Sequence, residues 1–76
     1  MFVYRCIAAQ QNFPDIGQYL SFGLAVYNVR NGDAPICTML LDLSLDRAFV
    51  ERVAAQCTRF QLDPVHLMDL AEDMLP

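Results

Sequence analysis

The sequence predicts one α+β domain over residues 1–76: a three-stranded antiparallel β-meander followed by two α-helices packed on one face of it, in the order βββαα. Three observations carry that expectation. Apolar side chains alternate in three stretches up to residue 43, then recur at helical spacing. Asn31-Gly32 stands just before the third stretch, and Asn-Gly favours a tight turn with positive φ. A chain of 76 residues has room for a single small core, with no internal repeat and no low-complexity segment.

The first strand is expected over Phe2 to Ala8, with Phe2, Tyr4, Cys6 and Ala8 on one face and Val3, Arg5 and Ile7 on the other. Gln10-Gln11-Asn12-Phe13-Pro14-Asp15 combines polar residues with a breaker and reads as a connection. The second strand runs from Tyr19 to Val29. Leu20, Phe22, Leu24 and Val26 share one face; Tyr19, Ser21, Ala25 and Tyr27 share the other. Gly23 interrupts it, and a glycine inside a strand marks a bulge or the close approach of another backbone. After Pro35, a third strand covers Ile36 to Leu43. Its alternation sets Cys37, Met39, Leu41 and Leu43 against Ile36, Thr38, Leu40 and Asp42.

Ser44 ends that strand with a hydroxyl able to cap a helix, and Asp46 would lie in the first turn, where the helix dipole favours a carboxylate. The helix should reach about Phe60, with Leu45, Phe49, Val50, Val53, Ala54, Cys57 and Phe60 on one apolar stripe. Arg47 and Glu51 stand four apart as an ion pair, while Arg52 and Arg59 lie along one flank. Asp63-Pro64 is an N-cap followed by a proline at the first helical position. In the second helix Leu67, Met68, Leu70, Ala71, Met74 and Leu75 form the apolar face, and His66, Asp69 and Asp73 group on the polar side.

Composition limits the function. The formal net charge is −4, and the five basic residues are scattered arginines. Such a chain has no basic patch for nucleic acid or an anionic membrane, so neither is an expected partner. The three cysteines, Cys6, Cys37 and Cys57, are widely spaced and form no C-x-x-C. They read as reduced thiols on core faces, not as a disulfide framework or a zinc site. The start of the chain lacks a signal-peptide pattern, and no apolar run approaches the ~20 residues of a membrane span, so a cytoplasmic protein is expected. There is no Gly-rich phosphate loop, no H-E-x-x-H and no G-x-S-x-G, and no pattern links the single histidine to a cysteine. The expectation is a non-enzyme without a cofactor.

Two arrangements remain as candidate sites. The first is the uncovered sheet face. Two helices shield one side of a three-stranded sheet, leaving Val3, Ile7, Tyr19, Ala25, Tyr27, Val29, Ile36 and Leu40 on the other. With 55% hydrophobic and 18% charged residues, the chain has more apolar surface than a small core can hide. Tyr19, Tyr27, Val29, Ile36 and Leu40 are therefore expected to contact a second copy, as a homodimer, or a protein partner. The second arrangement is the acidic end of the last helix. Asp69, Glu72 and Asp73 sit toward its C-terminus, where the dipole opposes carboxylates, and they would gain from the arginines at 52 and 59 or from a partner's. The same stripe, His66, Asp69 and Asp73, offers an imidazole and two carboxylates, the alternative being a small-molecule or divalent-metal binding protein centred there.

Three segments carry a resemblance. Tyr19-Leu20-Ser21-Phe22-Gly23-Leu24 is similar to Y-x-x-Y-G-I, with Phe22 at the second tyrosine. Asp42-Leu43-Ser44-Leu45-Asp46 is similar to D-I-S-x-D. The ending Asp63-Pro64-Val65-His66-Leu67-Met68-Asp69-Leu70-Ala71-Glu72-Asp73-Met74-Leu75 is similar to S-P-x-H-L-x-D-V-x-E-D-x-L, with Asp63 at the serine cap. Together they resemble a family of short proteins from clostridial Gram-positive bacteria, a domain of unknown function, over roughly residues 17–75. The resemblance implies a bacterial cytosolic protein. It supplies no activity, substrate or cofactor, and it marks Pro64, His66, Asp69, Glu72 and Asp73 as a capping arrangement or a docking surface.

Overall fold

Three antiparallel strands in the order β1-β2-β3 are followed by two helices, the α+β arrangement read from the sequence. The computed structural model describes residues 1–30 and 32–74, the Met74 side chain excepted. Asn31 and Leu75, expected in the tight turn and on the last apolar face, lie outside the described residues, as does Met74's side chain.

β1 (Phe2–Phe13) and β2 (Gly17–Asn28) form a hairpin whose register runs unbroken from Phe2↔Asn28 to Phe13↔Gly17. The strand does not stop at Ala8, as the polar run suggested. Backbone ladders are indifferent to side-chain polarity, and the amides there pair laterally: Gln10 Nε2 donates to Gln18 Oε1 at 2.9 Å. The hairpin closes through Pro14–Ile16, with Ile16 N–H donating to the Phe13 carbonyl and Gly17 at φ +89°. On the helix side of this distal half, Ala8, Gln10, Asn12 and Leu20 are exposed, so the arm projects past the helices and gives the molecule its 45 × 25 × 20 Å shape. No core required alternation there, which is why the period-2 signal fades.

The core lies between the proximal sheet and the helices. Tyr4, Phe22, Leu24 and Val26 meet Val50, Ala54 and Cys57 of α1 (Arg47–Arg59) and Leu67 of α2 (Leu67–Met74). The expected faces of the first two strands are the observed ones. Those of β3 (Ile36–Ser44) are reversed over residues 38–41, whereas Ile36, opposite Tyr27 across a register shift, keeps the expected side. Leu40 pairs with Leu24 and Thr38 with Val26, and directly opposed residues of a ladder share a face. Leu40, expected on the uncovered face, therefore packs against the core, while Cys37, Met39 and Leu41 are exposed. Alternation cannot say which of two apolar faces turns inward when both are apolar, and here the register decides. Leu43 returns to the core because the register shifts between Leu40 and Ser44, where Asp42 takes φ +58°.

Gly23 makes that shift possible. A Cβ on Gly23 would stand 2.0 Å from the Leu40 carbonyl oxygen and 3.0 Å from Leu41 Cα. The β3 backbone occupies the space a side chain would need, the close approach that the mid-strand glycine suggested.

α1 is capped by Asp46 and not by Ser44. The Asp46 backbone is extended and its carboxylate accepts from Phe49 N–H at 3.2 Å; Ser44 Oγ accepts one step earlier, from Asp46 N–H at 3.0 Å. Leu45 and Phe60 thus fall outside the helix and are exposed. Asp63 caps as expected, accepting from Val65 N–H at 3.0 Å, but Pro64–His66 form a 3₁₀ turn before α2 begins. This later start puts Asp69 in the first turn of α2, where the dipole favours it.

The helix layer is fastened to the outer edge of β1 by side chains. α1 ends in a Schellman arrangement, with Leu62 N–H on the Cys57 carbonyl and Gln61 N–H on that of Thr58. The left-handed residue at its end is Gln61 (φ +51°), where glycine is the usual choice. Its amide grips Phe2 like a neighbouring strand: Nε2 donates to the Phe2 carbonyl and Oε1 accepts from the Phe2 N–H, both at 2.8 Å. Thr58 Oγ1 accepts from Tyr4 N–H at 2.8 Å, and its proton is shared between the Ala54 and Tyr4 carbonyls. Tyr4 Oη, below, donates to the Leu62 carbonyl at 2.6 Å.

Two outcomes follow from this packing. Gly23→Ala forces a Cβ into the β3 backbone and should cost about 2–3 kcal/mol, the upper end for overpacking, read from denaturant midpoints; a midpoint equal to wild type would mean that β3 does not cross there. Burial, with Cys57 and Asp63 adding to it, pushes the Tyr4 phenol up from 10.0 to about 12. The folded state thus favours the protonated phenol. Its stabilisation is complete below pH 10 and is lost as pH rises through about 12. Tyr4→Phe should lower stability by about 1 kcal/mol at neutral pH through the lost hydrogen bond and flatten the alkaline decline; an unchanged alkaline slope in chemical denaturation would assign that decline elsewhere.

Candidate functional site

The side of the sheet away from the helices carries Val3, Arg5 and Ile7 of β1, alternate residues of β2 from Tyr19 to Tyr27, and Met39 of β3. The middle strand contributes small side chains between larger ones. Ala25 is paired with Arg5 on one side and Met39 on the other, and it is fully buried although no helix covers it; so is Ser21. The larger neighbouring side chains thus close over these small residues of β2. The β3 border of this face is apolar and open: Ile36, Met39 and Leu41 are each about half exposed, at 50%, 51% and 52%.

Of the residues expected on this surface, Tyr27 is half-buried, paired with Val3 and, across a register shift, with Ile36. Val29 lies just past β2, half-buried, its N–H donating to the Met1 carbonyl at 2.7 Å. Tyr19 stacks on Phe13 (centroids 5.7 Å apart) and its hydroxyl donates to Asp42 Oδ2 at 3.3 Å. Burial and then Asp42 raise the Tyr19 phenol above its ordinary value. Ile16, Tyr19 and residues 42–45 line a shallow pocket of about 370 Å³ there, apolar apart from Ser44 and the Tyr19–Asp42 pair. Strand alternation gave no sign of this pocket, because the left-handed Asp42 that shapes it breaks the alternation.

Asp69, Glu72 and Asp73 are all exposed on α2. They do not meet Arg52 or Arg59: among the described residues the one ion pair is Arg47–Glu51 at 2.9 Å, the pair that the i,i+4 spacing predicts. Arg59 instead lies over the Phe60 ring, 5.5 Å from its centroid, and Arg47 lies 6.0 Å from that of Phe22. The expected intramolecular match of acidic and basic flanks is thus absent, and the acidic end of α2 faces solvent. His66 is exposed in the 3₁₀ turn. Among the described residues no three His, Cys, Asp or Glu side chains gather as a cation site, so His66, Asp69 and Asp73 are not brought together as one.

The cysteines are unpaired and differ in setting. Cys57 is buried in the core and Cys6 is half-buried against it, and burial raises both thiols. Cys37, expected on a core face, is exposed because of the β3 register.

Among the described residues no helix is long and apolar enough to cross a membrane. The model of the Family of unknown function (DUF6514) matches residues 2–76, and the chain belongs to that family. No curated protein and no solved structure matches the chain.

Proposed function

We propose that this family member is a small non-enzymatic interaction module, bacterial and clostridial in origin and cytoplasmic, that self-associates or docks a protein partner through its open sheet face, with the acidic α2 as a second contact. The observation that carries the reading is the half-exposed apolar border of Ile36, Met39 and Leu41 along the β3 side of the open face. A plain solvent-facing sheet side would be polar. A standard interface takes about 800 Å² from each partner, and an apolar strip rimmed by polar groups is the usual core of one. The open carboxylates at Asp69, Glu72 and Asp73 belong to the helix layer on the other side of the sheet and offer a separate surface suited to a basic partner.

The reading predicts that untagged protein from its native cell elutes in a particle heavier than the 8.6 kDa chain. Placing charge on the open face, as Tyr27→Asp with Met39→Asp, should release a docked partner while leaving the melting temperature within a few degrees. A bare monomer mass for wild type, or an unchanged heavy complex in the double variant, would overturn the open face as the contact.

A further inference from the structure

We propose that the distal half of the outer edge of β1, Cys6 to Asn12, pairs with the same segment of a second copy, joining two sheets into one six-stranded antiparallel sheet. The inference goes beyond the interaction-module reading: it places self-association on an edge and leaves the open face to a different protein.

In an antiparallel ladder the backbone groups of successive residues point alternately to the two sides. Phe2 and Tyr4 turn their N–H and C=O outward, since both are held by Gln61 and Thr58. Met1 and Ala9, in the other phase, address the hairpin partner: the Met1 carbonyl accepts from Val29 N–H and the Ala9 carbonyl from Ser21 Oγ. Cys6, Ala8, Gln10 and Asn12 therefore present their backbone groups to the free edge, and no helix side chain reaches them among the described hydrogen bonds. One edge is thus clamped at its first two outward residues and open at the next four.

That open run lacks the devices by which proteins blunt an edge. Cys6-Ile7-Ala8-Ala9-Gln10-Gln11-Asn12 has no charge and no proline, and its register with β2 is free of bulges. The other edge differs: β3 follows Pro35, carries two register shifts and turns at Asp42. The centre of the open run is Ala9. A two-fold axis there pairs Ala8 with Gln10 of the second copy and Cys6 with Asn12 of the second copy, satisfying all four outward residues of both chains. The arrangement is isologous, as closed dimers require. It also sets Arg5, which has no acidic partner among the described residues, opposite Phe13 of the second copy and next to its Asp15. The exposed helix-side surface of Ala8 and Gln10 leaves room for a neighbouring strand.

The test is sedimentation of purified full-length chain at tens of micromolar, with three variants. Wild type should be a dimer. Ala8→Lys with Gln10→Lys sets like charges directly opposite in two symmetric pairs and should weaken the dimer by roughly tenfold or more, while the fold and melting temperature persist. Tyr27→Asp with Met39→Asp should remain dimeric. In a Cys37→Ser background, Ala9→Cys should form an intermolecular disulfide under mild oxidation, because facing non-hydrogen-bonded residues have Cα atoms about 4.5 Å apart, within disulfide reach. A monomeric wild type would overturn the edge pairing and leave docking of a different protein on the open face standing. A dimer that survives the lysines but is lost with the open-face charges would overturn it in favour of face-to-face association. Failure of Ala9→Cys to cross-link in a dimeric sample would overturn the register.

Discussion

The grip of Gln61 and Thr58 on the outer edge of β1 is the constraint on which the rest of the structure depends. A three-stranded sheet has two bare edges and two bare faces, and a short helical layer cannot cover all four. Here α1 shields a face, and the turn after it shields part of an edge. The side-chain amide of Gln61 replaces the ladder partner that Phe2 lacks. Holding a glutamine in the left-handed region costs of the order of 1–2 kcal/mol relative to glycine. Two hydrogen bonds of about 1 kcal/mol each offset that strain, so the clamp is close to neutral in energy. What it contributes is position. It fixes where α1 stops, and hence where Asp63 starts the next turn and Leu67 enters the core.

The clamp also sets what is left over. Helices anchored at Phe2 and Tyr4 cover the proximal sheet, and the hairpin arm beyond Ala8 extends without cover. The exposed surface is consequently of two kinds. One is the apolar border of the open face at Ile36, Met39 and Leu41. The other is the uncharged edge between Cys6 and Asn12, rich in small and amide side chains. A strip of the first kind binds through burial of area; an edge of the second kind binds through backbone pairing. The two are independent, and the chain can use one for itself and the other for a different protein.

Much of the fold was legible in the residues, and the failures have identifiable causes. The alternation of Phe22, Leu24 and Val26, and of Phe2, Tyr4 and Cys6, named the core side of β1 and β2 because one face of each was richer in large side chains. β3 is apolar on both faces, so its orientation was set by pairing to β2, and Leu40 was assigned to the wrong side. Asp46 and Ser44 are both good caps two residues apart, and propensity alone does not choose between them. Pro64 marked the second helix correctly, yet the 3₁₀ turn that it begins moved Asp69 from the unfavourable to the favourable end of α2. The open face was legible in outline; the burial of Ser21 and Ala25 on it, the Asp42 pocket and the clamped edge were not, since they depend on register and on side chains distant in sequence.

Amide hydrogen exchange along β1, read residue by residue at low and high protein concentration, tests the division of this edge most directly. The account predicts that Phe2 and Tyr4 exchange slowly at both concentrations, held by Gln61 and Thr58. Cys6, Ala8, Gln10 and Asn12 should exchange fast in dilute protein and slow as copies pair. Rapid exchange at Phe2 and Tyr4, or concentration-independent exchange at the four distal amides, would contradict it.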